Sequence, residues 1–265
     1  MKPALALAAA GALHAAPAAF FLPPLRPPSL AGAGDPGHVA LTFDDGPSPL
    51  STPHFLRLLE ARGIRATFFL LGTQVARAPW LAREIAEAGH EVAVHGWEHR
   101  CLLRYGPRRV RDDLARARDV IEHATGNRPQ WIRAPYGVFS TSALVAARGL
   151  GLTPVLWTCW GFDWTSRATA RSVLRTVMKD LHGGGTILLH DSDHAAAVGS
   201  WRATLAALGP LLDEIAHRGL QAGPLAEHGI TRARAGGGDG ARHWRAPARR
   251  ADPPPLRRWP APSSR

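Results

Sequence analysis

The chain has 265 residues, of which 45% are hydrophobic, and this length is enough for one sizeable domain with its own core. That composition argues against a globally disordered or collagen-like chain, and two cysteines are too few for a disulfide framework. The formal net charge of +11 would indicate nucleic-acid binding if the positive residues lay on the folded domain. Here residues 232–265 hold nine Arg and two Asp and so carry +7 of it.

Residues 1–35 have the features of a leader. Lys2 precedes an Ala- and Leu-rich stretch over residues 4–13, and Ala16-Pro17-Ala18 offers small residues of the kind found near a cleavage site. The prolines of residues 23–28 interrupt the apolar run that a membrane span of about 20 residues needs. We therefore expect a signal peptide, or a weak membrane anchor if it is not cleaved. A secreted or cell-envelope location is favoured over a cytoplasmic one.

Residues 36–230 alternate strand and helix signals, and we assign them to one catalytic domain. Strands are predicted over residues 38–43, 66–71, 91–95, 131–133, 153–156 and 186–190. Helices are predicted over residues 53–62 (with Thr52 as the N-cap), 80–88, 107–124, 140–148, 169–181 and 201–218. This alternation indicates parallel βαβ units that form an open sheet or close into a barrel. In both cases catalytic groups belong at the carboxyl ends of the strands.

Residues 231–265 are rich in Arg, Gly and Pro, and we predict a disordered tail. Trp244 and Trp259 could stack on sugars or bases, but a solvated tail without a dedicated ligand is favoured. Contact with an anionic cell-wall polymer is the partner that its charge suggests, and nucleic-acid binding is not expected. Cys101 and Cys159 could form one bridge or remain two thiols, and the sequence leaves both open.

Charged residues follow several of the predicted strands. Asp44 and Asp45 end the first strand, and two adjacent carboxylates need a compensating cation. Arg133 follows another strand and could supply it. The simpler alternative is a turn cap at Asp44 beside a solvated Asp45.

Histidines also follow the strands. His95 and His99 point the same way if their segment is helical, which is a metal-binding spacing. With one carboxylate they would supply the three protein ligands common in catalytic zinc sites. A chance pair is the alternative in a chain with 13 His. His190 ends the last strong strand, and a lone histidine there is more often structural.

These motifs together resemble the polysaccharide deacetylases of the NodB-homology type, carbohydrate esterase family 4. Five segments match the family in order: Thr42-Phe43-Asp44-Asp45-Gly46-Pro47, His95 with His99, Arg133-Ala134-Pro135-Tyr136, Asp163-Trp164, and Leu188-Leu189-His190. The resemblance implies an α/β fold, the distorted (β/α) barrel of that family, as a single catalytic domain. It also implies a divalent metal, usually Zn²⁺, held by Asp45, His95 and His99.

The resemblance also implies a role for each remaining matched residue. Asp44 would be the general base toward the attacking water, and His190 the general acid toward the leaving amine. Arg133 would orient Asp44, and Asp163 would pair with His190 to set its pKa. The remaining matches would contact substrate: the backbone amide of Tyr136 at the oxyanion, and Trp164 and Leu188 around the sugar and the acetyl methyl.

The implied function is metal-dependent removal of N-acetyl groups from an amino-sugar polysaccharide such as peptidoglycan or a chitin-like glycan. The alternatives are a polysaccharide O-acetyl esterase, for example on xylan, and an inactive carbohydrate-binding relative. We expect a monomer without a dedicated protein partner. Two positions depart from the family: Gly96 replaces a Ser or Thr that steadies the histidine pair, and Trp160 stands where an additional Asp is common.

Overall fold

A single parallel sheet organises the domain. The computed structural model describes residues 3–230, with side chains from residue 8 onward, so the predicted tail lies outside the described residues. The strands are β1 (His38–Asp44), β2 (Thr67–Leu70), β3 (Glu91–Val94), β4 (Trp131–Ile132), β5 (Thr153–Pro154), β6 (Cys159–Trp160), β7 (Thr186–His190) and β8 (Gln221–Gly223). Their order is β5-β4-β3-β2-β1-β7-β6, and β8 pairs with the first half of β1.

The sheet curls strongly. β5 and β6 lie at opposite ends of the strand order, yet only residues 155–158 separate them in the chain. Those residues span at most about 18 Å, whereas seven strands laid flat would extend about 29 Å. The two ends of the sheet must therefore approach each other, which gives a curled half-barrel. This confirms the predicted distorted (β/α) barrel.

Helices follow most of the strands. They are α1 (Pro3–Ala15), α2 (Pro28–Ala31), α3 (Thr52–Ala61), α4 (Gly72–Arg77), α5 (Pro79–Glu87), α6 (Pro107–Thr125), α7 (Thr141–Gly149), α8 (Ala170–Asp180) and α9 (Trp201–His217). The six predicted helices are present, and α1, α2 and α4 were not predicted. The N-cap prediction at Thr52 was wrong, because Ser51 occupies that position and the Thr52 hydroxyl donates to Asp191.

The two faces of the strands contribute to different cores. Val39, Leu41 and Phe43 of β1 belong to a large apolar core that includes side chains of the helices. The intervening Ala40 belongs to a small core that also holds Phe69, Ala93, Trp131, Val155 and Leu225. Since side chains alternate across a strand, Asp44 shares the face of Ala40, which is the inner face of the curl. The functional groups therefore lie above a small inner core and apart from the large one.

Residues 26–32, here called the seam segment, lie between the two ends of the sheet. Arg26 donates to the backbone oxygen of Trp157. The Leu30 oxygen accepts from the Leu156 amide at 2.8 Å, and the Gly32 oxygen accepts from the Thr186 hydroxyl at 2.6 Å. The segment thus hydrogen-bonds both to the residues that join β5 to β6 and to the first residue of β7. The leader boundary at residue 35 stays a prediction, and no helix within residues 3–230 has the length and apolar character to cross a membrane.

Both cysteines are free thiols. Cys101 is partly exposed and Cys159 is buried in β6. Burial raises the pKa of the Cys159 thiol to about 12, so this residue acts as a small packing group at neutral pH.

The seam segment gives a testable expectation for Gly32. Its φ is +74°, and an added Cβ would lie 2.8 Å from Thr186 Oγ1 and 3.1 Å from Val155 Cγ2. Gly63 is a matched control, because its φ is +62° and nothing lies within 4 Å of an added Cβ. Both alanine variants lose about 1–2 kcal/mol of unfolding free energy through backbone strain. We expect Gly32→Ala to lose about 1–3 kcal/mol more by overpacking. Denaturant unfolding of the full chain measures both, and equal losses would contradict tight packing of the seam.

Candidate active site

Four strands carry polar side chains to one edge of the sheet. Asp44 ends β1, and His190 ends β7 directly beside it in the sheet register. His95 follows β3 and Arg133 follows β4. Asp44, His95 and Arg133 are buried, and His190 is partly buried. The edge predicted to hold the catalytic groups therefore does bring them together, at the carboxyl ends of parallel strands.

Arg133 compensates the carboxylate of Asp44. The guanidinium is fully buried, and its Nη1 donates to Asp44 Oδ1 and to Thr42 Oγ1, each at 2.8 Å. Its Nη2 donates to the Leu156 oxygen at 2.8 Å, and the Phe69 ring centroid lies 4.1 Å from the guanidinium carbon. A buried ion pair overcomes its desolvation cost only with such additional partners. Arg133 therefore supplies the compensating cation that the sequence analysis expects, and it does so for Asp44.

Asp45, His95 and His99 form a cluster that fits a metal ion. Asp45 Oδ1 lies 3.4 Å from His95 Nε2 and 3.5 Å from His99 Nε2, and this buried oxygen has no hydrogen-bond partner among the described residues. Tetrahedral ligands at about 2.0–2.1 Å from zinc are about 3.4 Å apart. The observed separations are longer than a usual hydrogen bond of about 2.9 Å and match ligand spacing. The three residues are therefore suited to hold a divalent cation.

The protonation of these groups also suits metal binding. His95 Nδ1 lies 2.9 Å from the Arg133 oxygen, and donation there leaves Nε2 as the free nitrogen. Burial lowers the pKa of His99 to about 4, so its imidazole is neutral at pH 7. Burial on its own raises the pKa of Asp45, but His95, His190 and His99 together hold it below the ordinary value. One carboxylate and two imidazole nitrogens are a common donor set for zinc.

The segment that carries the two histidines is a loop, so the condition of a helical His95–His99 pair is not met. Gly96 has φ +89°, a left-handed conformation that ends any regular helix here. The Gly72 amide donates to the Gly96 oxygen at 3.0 Å, and the Trp97 amide donates to Asp113 Oδ1 at 3.0 Å. Asp113 of α6 therefore supports the loop that follows Gly96. Sequence reasoning did not identify it, because it resembles any acidic residue of a surface helix.

His190 is held by Asp163. Its Nδ1 lies 2.8 Å from Asp163 Oδ1, and its backbone amide donates to Asp163 Oδ2 at 2.8 Å. Thr204 donates to the same Oδ2 at 2.7 Å. Burial lowers the pKa of His190, but the charges of Asp163, Asp45 and Asp44 outweigh it and raise that pKa to about 10. The imidazole is therefore protonated at neutral pH, with Nδ1 bound to Asp163 and Nε2 free to donate.

The three predicted substrate-contacting residues surround this centre. The Tyr136 ring is exposed, with its centroid 4.4 Å from that of His99, and its φ is +62°. The Trp164 ring lies 5.6 Å from the His190 ring in an edge-on arrangement. Leu188 is buried two residues before His190 in β7 and so shares its face. Their contacts with substrate stay predictions.

Asp191 is a second residue that sequence reasoning missed. Its carboxyl is buried and accepts from the Thr52 hydroxyl. A Cβ added at Gly46 would lie 2.7 Å from Asp191 Oδ2, so the carboxyl packs directly under the turn that follows Asp45. Burial raises the pKa of Asp191 to about 7. Its position next to His190 was the available signal, and its contacts indicate support of the turn after Asp45.

Known proteins resemble this chain in sequence. The family profile described as polysaccharide deacetylase matches residues 31–155. A chitooligosaccharide deacetylase from Bradyrhizobium sp. (strain ANU 289) is 35% identical, over 71% of this chain and 88% of that protein. A peptidoglycan-N-acetylglucosamine deacetylase from Bacillus cereus is 30% identical, over 68% of this chain and 83% of that protein.

A solved structure shares the fold. It is a CE4 family pseudoenzyme from Bacillus anthracis, with a TM-score of 0.68 and 26% sequence identity. The match covers 75% of this chain and 67% of that one. The expected resemblance to carbohydrate esterase family 4 is thereby confirmed in both sequence and fold. Because this fold also occurs in a pseudoenzyme, activity must be assessed from the site residues.

The support of the histidine loop gives a prediction for Asp113. Asp113→Ala removes the acceptor of the Trp97 amide and leaves Asp45, His95 and His99 intact. We expect zinc affinity to fall about 10- to 100-fold, the usual cost of losing a group that orients metal ligands. Asp112→Ala is the matched control, since that acid is exposed on the same helix. Competition with a chromophoric chelator measures both, and equal affinities would contradict the role of Asp113.

Proposed function

The chain belongs to the polysaccharide deacetylase family, and from that membership we propose that it removes N-acetyl groups from an amino-sugar polymer. The observation that carries this proposal is the placement of Asp44 and His190 side by side in the register of β1 and β7. Arg133, which follows β4 on one side of β1 in the strand order, binds Asp44. Asp163, which follows β6 on the other side, binds His190. A base and an acid are thus oriented separately around one centre, which amide hydrolysis requires.

Asp44 is the base in this proposal. Arg133 binds its Oδ1, so Oδ2 is the oxygen that faces His95 Nε2, at 3.7 Å. A water molecule at the centre would give its proton to this oxygen while its own oxygen bonds to the acetyl carbon. The ion pair with Arg133 limits rotation of the Asp44 carboxylate and so fixes the direction in which Oδ2 accepts the proton.

His190 is the acid. The amide C–N bond breaks only when the leaving nitrogen gains a proton, since an amine anion is a very poor leaving group. A His190 pKa of about 10 keeps the imidazolium charged at neutral pH, and Asp163 holds it in one orientation. Acetate and a free amine are the products. Asp44 is thus the proposed proton acceptor and His190 the proposed proton donor, so that one site performs both proton transfers.

Zinc is the proposed cofactor, held by Asp45, His95 and His99. When bound, it would supply Lewis-acid chemistry that activates water near neutral pH and polarises a carbonyl oxygen. The backbone amide of Tyr136 is proposed to donate to the same carbonyl oxygen as charge develops on it. The left-handed φ of Tyr136 at this position supports a functional constraint on that backbone.

The substrate is proposed to be a chitin-like oligosaccharide or peptidoglycan. The relatives from Bradyrhizobium and Bacillus cereus carry these two activities in their names. Action on a cell-wall glycan agrees with the export that the leader predicts, so we propose a secreted or envelope-associated enzyme. All five proton-transfer and ligand residues are present, which supports activity over the inactive carbohydrate-binding alternative.

The direct test is acetate release by the full chain. We expect release from N-acetylated chitooligosaccharide or from peptidoglycan, its loss after chelation, and its recovery on adding zinc. Acetylated xylan serves as the O-acetyl comparison. Faster release from xylan than from either amide substrate would favour the esterase alternative. No release from any of the three by folded, zinc-loaded protein would favour the inactive one.

The acid assignment gives a pH prediction. Because the folded-state pKa of His190 is raised, activity is retained through neutral pH and is lost as the pH rises toward 10. Asp163→Asn removes the largest charge that raises this pKa, so the alkaline limb of the kcat/KM profile should move down by at least about one pH unit. Thr204→Val is the control, because it removes one hydrogen bond to Asp163 and keeps its charge. An Asp163→Asn profile that overlays the wild-type one would contradict the assignment.

A further inference from the structure

Phe162 has a strained backbone at the active-site edge and no part in the proposed reaction. Among the described residues, three that are not glycine have positive φ: Asp45 (76°), Tyr136 (62°) and Phe162 (51°). Each follows a strand at the active-site edge, after β1, β4 and β6 respectively. Such conformations cost free energy and persist where the backbone must aim a group. Asp45 and Tyr136 have proposed roles in metal and oxyanion binding, and Phe162 has none.

Phe162 presents an aromatic ring to solvent beside the acid. The residue is 47% exposed, although a phenylalanine is usually buried. It directly precedes Asp163, the partner of His190. Among the described residues the other exposed aromatic rings are Tyr136, also at this edge, and Trp80 on α5. An exposed ring at the rim of a polar site is typical of a ligand-contacting group.

Neighbouring tryptophans hold the Phe162 ring in place. Its centroid lies 4.5 Å from that of Trp164 and 5.5 Å from that of Trp160, the latter in an edge-on arrangement. Trp160 in turn stacks on Trp157 at 5.7 Å and contacts Phe21 at 6.2 Å. Trp160 thus links the Phe162 ring to a wider set of packed aromatic rings. The ring is therefore fixed by packing and not free to fold back onto the surface.

The rings of Trp160, Phe162 and Trp164 form one cluster beside the acid, because Trp160 also contacts Trp164, at 5.0 Å. Trp164 lies 5.6 Å from His190, and Phe162 lies one ring further along. A β-linked amino sugar presents axial C–H groups on the faces of its ring, and such a face packs flat against an aromatic side chain. A polymer whose reacting sugar contacts Trp164 would place a neighbouring sugar over Phe162.

We propose that Phe162, supported by Trp160, forms a binding subsite for the sugar unit next to the one that loses its acetyl group. The occupant is a β-linked N-acetylated amino-sugar oligomer, and this identification rests on the proposed function. The subsite makes the enzyme prefer chains over short fragments. Phe162 is thus a specificity-determining residue, and Trp164 remains the contact at the reacting sugar.

The test compares tetra-N-acetylchitotetraose with N-acetylglucosamine, which has no neighbouring sugar unit, as substrates. In Phe162→Ala we expect the ratio of kcat/KM for the tetramer to that for the single sugar to fall about tenfold. Phe162→Leu should lose as much, since it is apolar but not aromatic, whereas Phe162→Trp should keep the wild-type ratio. Trp80→Ala is the matched control, an exposed aromatic residue on α5. An equal loss on both substrates, or none, would overturn the subsite.

A binding measurement separates this inference from the proposed function. In an Asp44→Asn background, which lacks the proposed base, calorimetry gives the Kd of tetra-N-acetylchitotetraose without turnover. We expect the added Phe162→Ala change to weaken that Kd about tenfold. If the wild type releases no acetate but this effect is present, the deacetylase proposal fails and the subsite stands. If acetate is released and Kd is unaffected by Phe162→Ala, the subsite fails alone.

Discussion

The buried contact between Arg133 and Asp44 is the interaction on which the site depends. The side chain of Arg133 binds the proposed base, and its backbone oxygen lies 2.9 Å from His95 Nδ1. Its backbone amide donates to the Val94 oxygen at 3.0 Å, which joins the ends of β3 and β4. One residue therefore sets the positions of the proposed base and of one proposed metal ligand relative to each other. The proposed metal centre and the proton-transfer group are parts of one hydrogen-bonded unit.

The curl of the sheet lets the protein tolerate the desolvation cost of this buried polar unit. The large core on the outer face of the strands holds most of the apolar side chains and provides most of the stability. The inner face carries a much smaller core, and the polar groups lie at its carboxyl edge. Substitutions in this inner layer are therefore expected to affect activity before they affect folding. The same edge holds all three strained non-glycine residues of the described chain.

The sequence predicted the parts of this structure that depend on local pattern and on charge. The long apolar runs of β1 and β7 and the stripe of α6 were found, and so was the need of Asp44 for a cation. The two-residue strand β6 was missed because only residues 155–158 separate it from β5, so no helix signal marks the start of a new strand. The loop of His95 and His99 depends on a left-handed Gly96 and on Asp113, a distant contact without a local signal. The strain at Phe162 likewise has no counterpart in the residue pattern.

The most direct measurement of this account is a crystal structure of the zinc-loaded full chain with anomalous scattering recorded at the zinc edge. The account predicts one ion at about 2.0–2.2 Å from Asp45 Oδ1, His95 Nε2 and His99 Nε2. It also predicts that Asp44 Oδ1 remains bonded to Arg133 and outside the coordination sphere. An ion coordinated by Asp44, or one bound away from the two histidines, would contradict the separation of base and ligand proposed for this site.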